Sequence, residues 1–179
     1  MKRILLVVLA VAALVATAIP ALAQEGTKIG VGYFSPEAPI GGRAWINDKL
    51  AVDVGIGFVN EDRTGGTKVE KKTTLWFDAG VPIVLVSDET TKFFVRPGIT
   101  YCSSPIWDFG AKDWASSKTM WVRGTLGVEH WFGKRFSLAA GHGIAFNSYD
   151  PGTKNSKTSS SIKSEALSVS DIGFHFYFN

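Results

Sequence analysis

A period of two runs through most of this chain and constrains its fold more than any other feature. In KLAVDVGIGFV, Leu50, Val52, Val54, Ile56 and Phe58 are large and apolar, and they alternate with Ala51, Asp53, Gly55, Gly57 and Val59. Successive side chains of an extended strand point to opposite faces, so this stretch has one greasy side and one small or polar side. In TLWFDAGVPIVLV, Leu75, Phe77, Ala79, Val81, Ile83 and Leu85 oppose Trp76, Asp78, Gly80 and Pro82. FFVRPGITY sets Val95, Pro97, Ile99 and Tyr101 against Phe94, Arg96, Gly98 and Thr100. TMWVRGTLGVEHW sets Met120, Val122, Leu126 and Val128 against Trp121, Arg123, Thr125, Gly127 and Glu129. The closing DIGFHFYFN aims Phe174, Phe176 and Phe178 one way, and His175 and Tyr177 the other. Helical spacing fits none of these stretches as well.

The beginning of the chain is of another kind. Lys2 and Arg3 precede an apolar run from Ile4 to Ala18, then Pro20 and Ala21-Leu22-Ala23. A positive start, an apolar middle and an A-x-A site describe a secretory signal peptide over 1–23, cut after Ala23. A retained anchor is the competing reading, and the small residues at Ala21 and Ala23 favour cleavage. The formal charge of +3 includes Lys2 and Arg3, so residues 24–179 carry +1, which gives no argument for nucleic acid. Cys102 is the single cysteine, which excludes an internal disulfide and cysteine-built metal sites, and the plain reading is a structural thiol. His130, His142 and His175 show no metal-ligand spacing. No second apolar stretch after Ala23 is long enough for a spanning helix, so entry into a membrane would require a closed β-barrel.

The alternation places eight strands at 25–35, 38–46, 49–60, 72–86, 92–102, 118–131, 135–147 and 165–178. Turns at 47–48, 87–91 and 132–134 are short, whereas 61–71, 103–117 and 148–164 are long and polar. The first connection, SPEAP, is a short exception. RAWINDKLAVDVGIGF and EHWFGKRFSLAAGHGI align without gaps at an offset of 86 residues, and both read as hairpins. An even strand count with short turns at one end and long loops at the other is the transmembrane-barrel pattern.

Eight alternating strands also describe a soluble barrel, so the faces decide. In a soluble barrel the large apolar set points inward; in a membrane barrel it points outward. Arg43, Asp53, Asp78, Arg96, Arg123 and Glu129 share the face opposite the greasy one, as do Gly30, Gly32, Gly55, Gly57, Gly80, Gly98, Gly127, Gly141, Gly143 and Gly173. Glycine packs nothing on an outer wall, but inside a narrow barrel it leaves room for large residues such as Trp76, Trp121 and Arg123. The expectation is an all-β, eight-stranded antiparallel up-and-down transmembrane barrel over 24–179, with short periplasmic turns and longer extracellular loops. Its lumen would be filled by three arginines paired across strands with three acids, leaving no wide pore. Tyr33, Tyr101, Phe136 and Phe178 fall near strand ends, as belt residues do. Trp45 and Trp131 point inward in this phasing, and His142 falls on the greasy face.

The terminal Asp171-x-Gly173-x-x-Phe176-x-Phe178 resembles the β-signal of Gram-negative outer-membrane proteins, although here Asn179 follows the final aromatic. That resemblance implies recognition by the barrel-assembly machinery and residence in the outer membrane. In architecture the mature chain resembles the small OmpX- and OmpA-barrel-like group, without the soluble peptidoglycan-binding domain of full OmpA-type proteins. Members of that group serve as scaffolds, adhesins or host-interaction factors.

The resulting expectation is a non-enzymatic structural or surface-interaction barrel without cofactor or bound metal. It would contact outer-membrane lipid and lipopolysaccharide, with an extracellular partner approached through loops 61–71, 103–117 and 148–164. The lysines of 148–164 suit acidic groups of lipopolysaccharide. Ile106, Trp107, Phe109 and Trp114 make one loop apolar, for packing over the barrel mouth or for a partner. The alternatives are a lipid-modifying enzyme, for which His142 and Ser148 are the nearest candidates at unsuitable spacing, and a narrow channel or small-ligand carrier, which requires an open lumen.

Overall fold

The computed structural model describes residues 28–35, 37–153, 159–165 and 172–178, with backbone alone for 159–165. Ten strands occupy these residues: β1 Lys28–Tyr33, β2 Ile40–Trp45, β3 Ala51–Gly65, β4 Lys68–Gly80, β5 Ile83–Ser87, β6 Thr91–Asp108, β7 Asp113–Trp131, β8 Phe136–Asp150, β9 Ser159–Glu165 and β10 Ile172–Phe178. All pairings are antiparallel, and no helix occurs among the described residues.

The ladder closes on itself. β1 pairs with β2 on one side and β10 on the other, and β10 pairs in turn with β8. β4 and β5 succeed each other beside β6, as β9 and β10 do beside β8, so ten strands fill eight positions of an up-and-down barrel. Closure leaves no free edge around the lower wall, as a barrel requires.

Two expected strands are divided. The stretch 72–86 breaks at Val81-Pro82 because proline has no N–H for the ladder. The break keeps its bonds to both neighbours, with Val81 N donating to Pro97 O and Ala51 N to Pro82 O, each at 2.9 Å. The stretch 165–178 appears as β9 and β10, and 166–171 lies outside the described residues.

Two expected loops are largely strand. Residues 61–65 and 68–71 continue the β3–β4 ladder to a turn at Gly66, whose φ is 61°, and residues 103–108 and 113–117 continue β6–β7 to a turn ending at Lys112. The polar composition hid this. Glu61 faces Lys72, Asp62 faces Lys71 and Arg63 faces Glu70, and opposite charges across a ladder stabilise a strand that carries polar residues on both sides. Of 148–164, Ser148–Asp150 extend β8 and 159–164 lie in β9, while 154–158 lie outside the described residues.

The two projecting hairpins lock together. Trp107 and Trp114 meet edge to face at 5.5 Å, and a Cβ on Gly65 would lie 2.4 Å from the Trp107 ring. Lys72 Nζ sits 4.6 Å over Trp114, and Arg63 Nη1 donates to Pro105 O at 2.5 Å. These two tryptophans therefore pack against the neighbouring hairpin, while Phe109 at the turn is 83% exposed.

Candidate functional site: the charged lumen

The wall is inverted relative to a water-soluble core. Val31, Ile40, Phe58, Leu85, Val122, Leu126, Ile144 and Phe176 are exposed on the outside, whereas Trp45, Tyr177, His175, Glu129, Asp53 and Asp78 are fully buried within. Strand register produces this, because directly opposed residues share a face: Arg43 faces Asp53, and Asp53 faces Gly80.

The six charged residues expected in the lumen form one continuous chain of contacts. Arg43, from β2, donates Nη1 to Glu129 of β7 at 3.0 Å and Nη2 to Asp53 of β3 at 2.8 Å. Asp53 accepts from Arg96 of β6 at 2.8 Å, and Arg96 also bonds Asp78 of β4. Asp78 then meets Arg123 of β7 at 3.3 Å. Cations and anions alternate along the whole series. Taking one member away leaves a buried charge uncompensated, at a cost of about 3–5 kcal/mol. Arg43 and Glu129 are 86 positions apart, the offset of the hairpin echo, so the two related hairpins meet through this ion pair.

Hydroxyls complete the network. Ser137 and Tyr177 donate to Glu129 Oε1 at 2.5 and 2.8 Å, and Thr100 donates to Asp78. Below, Trp45 donates Nε1 to the Tyr177 hydroxyl at 3.1 Å, and Trp131 packs on Tyr177 at 4.2 Å. Lys92 and Lys28 hold their ammonium groups over Trp45 and Trp131, at 4.0 and 5.2 Å. The short-turn end of the lumen is therefore filled by three aromatic rings.

The other end has two covers. Trp76 and Trp121 stack at 5.6 Å with an interplanar angle of 18°, one register step above Asp78 and Arg123. Beside them the β1–β2 connection folds into the barrel. Ala38 is 0% exposed, and Phe34 lies edge-on to His175 at 6.4 Å with the Arg96 guanidinium 5.1 Å from its ring.

The period of two carries no information on this inward loop. A signal was present in Gly41, Gly55 and Gly57, where a Cβ would lie 2.6, 2.6 and 1.9 Å from loop atoms. The inward glycines leave room for different residues from those expected. Gly80 clears Arg96, Gly127 clears Phe94 and Gly30 clears Tyr177. A cavity of about 60 Å³ remains between the loop and the network, bordered by Phe34, Arg96, Arg123, Thr125 and His175.

The period of two places His175 on the polar face and says no more of it. It is buried beside Glu129, with Nδ1 3.6 Å from Oε1, beyond hydrogen-bond distance. Cys102 is buried on the inner face opposite Trp76. His142 follows the outward phase opposite Leu126, and its Nδ1 is buried without a hydrogen-bond partner among the described residues. Ser148 stands six residues further along the same strand, about 20 Å at ordinary strand rise, so the two do not meet.

Of the terminal segment, Asp171 lies outside the described residues. Gly173, Phe176 and Phe178 lie in β10, the strand that closes the barrel against β1, with Ile29 opposite Phe178. Phe174, Phe176 and Phe178 face outward, and Phe136 packs on Phe176 at 5.0 Å. Among the described residues no group of three or more His, Cys, Asp or Glu side chains is placed to hold a metal ion. Comparison with protein-family models, curated proteins and solved structures finds no match to this chain.

Proposed function

We propose that the chain is an outer-membrane β-barrel protein of the small OmpX- and OmpA-like kind, exported on the 1–23 leader and serving a structural or surface-interaction role. One observation carries the reading: ionised side chains occupy the centre of the cylinder while valine, isoleucine, leucine and phenylalanine cover its wall. In water such a wall would leave a large apolar area hydrated at roughly 25 cal/mol per Å². In hydrocarbon the same wall is at home, and the closed ladder satisfies its own backbone. Tyr33, Tyr101, Phe136 and Phe178 then lie near the two interfaces.

The packed lumen supports a scaffold or surface role over bulk transport. The projecting hairpins and the 148–164 connection are the parts available to an extracellular partner or to lipopolysaccharide. Fractionation with a heat-modifiability gel tests the location: the unboiled chain should sit with outer membranes and migrate differently from the boiled chain. Recovery as a soluble periplasmic monomer would defeat the proposal. Replacing the projecting hairpins, followed by adhesion and serum-survival assays, tests the surface role, and planar-bilayer recordings should show no stable conductance of porin size.

A further inference from the structure

We infer that the β7–β8 turn and the aromatic strip beside it form a seat for one anionic phospholipid, with its phosphate on Lys134 and Arg135 and an acyl chain along the strip. The inference rests on the membrane reading proposed above and assigns the lipid to the short-turn leaflet.

The three short turns differ in charge. Asn47-Asp48-Lys49 is balanced, Asp88-Glu89-Thr90 is acidic, and Gly133-Lys134-Arg135 is basic and exposed throughout. Phe132 N donates to Phe136 O at 2.8 Å and closes the basic turn, so a phenylalanine stands at each end of it. Phe132 is 56% exposed. Rings at headgroup level and cations that meet lipid phosphate are the two features of a membrane interface, and here they share five residues.

The neighbours of this turn fix the side on which a phosphate rests. Trp131 N donates to Thr90 O at 2.7 Å, so the acidic turn borders the basic one, and Asp88 and Glu89 repel an anion there. On the far side Tyr177 N donates to Arg135 O at 2.8 Å and joins the turn to β10. Repulsion and attraction together move the headgroup toward β10.

The aromatic strip runs up the outer wall from that place. Ring centroids follow one another from His130 to Phe132 at 4.7 Å, Phe136 at 6.0 Å, Phe176 at 5.0 Å, Phe174 at 6.1 Å and Tyr33 at 6.0 Å. The strip ends at the last of the six residues of β1, a strand that rises roughly 17 Å. One leaflet of hydrocarbon is about 15 Å deep, half of the bilayer core. A chain whose phosphate is held at the turn therefore meets flat rings along its length, and many small dispersion contacts add up.

The test places heat-modifiable barrels in phosphatidylcholine vesicles with nitroxide-chain phosphatidylglycerol or nitroxide-chain phosphatidylcholine. The immobilised spin signal reads how strongly each lipid associates and how fast it exchanges. Phosphatidylglycerol should associate about tenfold more strongly at low ionic strength, and added salt should reduce the advantage. Lys134→Gln with Arg135→Gln should abolish it. Adding Asp48→Lys to that pair restores the net charge on the turn across the barrel, and the advantage should stay lost. Phe132→Leu with Phe136→Leu should speed exchange of phosphatidylglycerol about threefold.

Equal association of the two lipids with the parent barrel, or a preference that survives Lys134→Gln with Arg135→Gln, overturns the seat and leaves the membrane reading intact. Return of the preference with Asp48→Lys overturns it too, since net charge at the rim then selects the lipid. An exchange rate that the phenylalanine variants leave unchanged overturns the role of the strip. A chain that does not enter the vesicles overturns the seat and the membrane reading together.

Discussion

Ion pairs of the same kind occur at two heights in this barrel, and their settings differ. In the lumen Arg43 and Asp53 meet at 2.8 Å with side chains 4% and 0% exposed. On the projecting β3–β4 hairpin Lys72 and Glu70 meet at 2.7 Å, but with 22% and 43% exposed. Distance does not separate the two pairs; water does. A surface pair gains little, because solvent screens it and two mobile side chains must be ordered. A buried chain of charges was expensive to desolvate, and each member now depends on the next. The lower barrel is therefore rigidly specified, while the exposed charged positions of the hairpins are tolerant of substitution.

Substitutions can break that contrast, with effects falling from the lumen outward. Asp53→Ala strands both Arg43 and Arg96 and should cost about 3–5 kcal/mol, read as a lower urea midpoint of the refolded barrel. Leu126→Arg places a charge on the outer wall at mid-strand and should cost about 2–4 kcal/mol in lipid vesicles. A double-mutant cycle on Trp76→Ala and Trp121→Ala should return a coupling of about 0.5–1.5 kcal/mol for the stacked cover. Glu61→Gln removes an exposed partner of Arg63 and should change the midpoint by less than about 1 kcal/mol.

The smallest effect belongs to the turn at Asp88. Backbone N–H donors of Thr90 and Thr91 hold its carboxyl below the ordinary carboxylate value. A depressed carboxyl stabilises the folded state above its unfolded pKa, about 3.9, and that contribution disappears as pH falls through the lower folded value. Asp88→Asn should abolish this fully exposed turn's share of acid sensitivity, seen as loss of the low-pH carboxyl titration by NMR, with the lumen unaffected.

The period of two was enough to assign faces, because inside and outside follow from parity once strands are assumed. It placed Arg43, Asp53, Asp78, Arg96, Arg123 and Glu129 on one side, and cross-strand register brought them into contact. Parity is silent on what enters from a connection. Phe34 and Ala38 belong to a short loop, and only the glycines opposite them betray where it goes. Parity also failed where both faces are polar, so the hairpins at 61–71 and 103–117 read as loops although charge pairing holds them as strand. His175 followed the expected phase, but its burial beside Glu129 depends on neighbours distant in sequence.

The outward direction of the apolar wall is tested most directly by a nitroxide scan along β7 in lipid vesicles, in a Cys102→Ser chain. Labels at residues 120, 122, 126 and 128 should be open to oxygen and shielded from a water-soluble nickel complex, alternating with immobile labels at 121, 123 and 125. A label at Val122 that the nickel complex reaches freely, or that is packed out of reach of both, would contradict the inverted barrel.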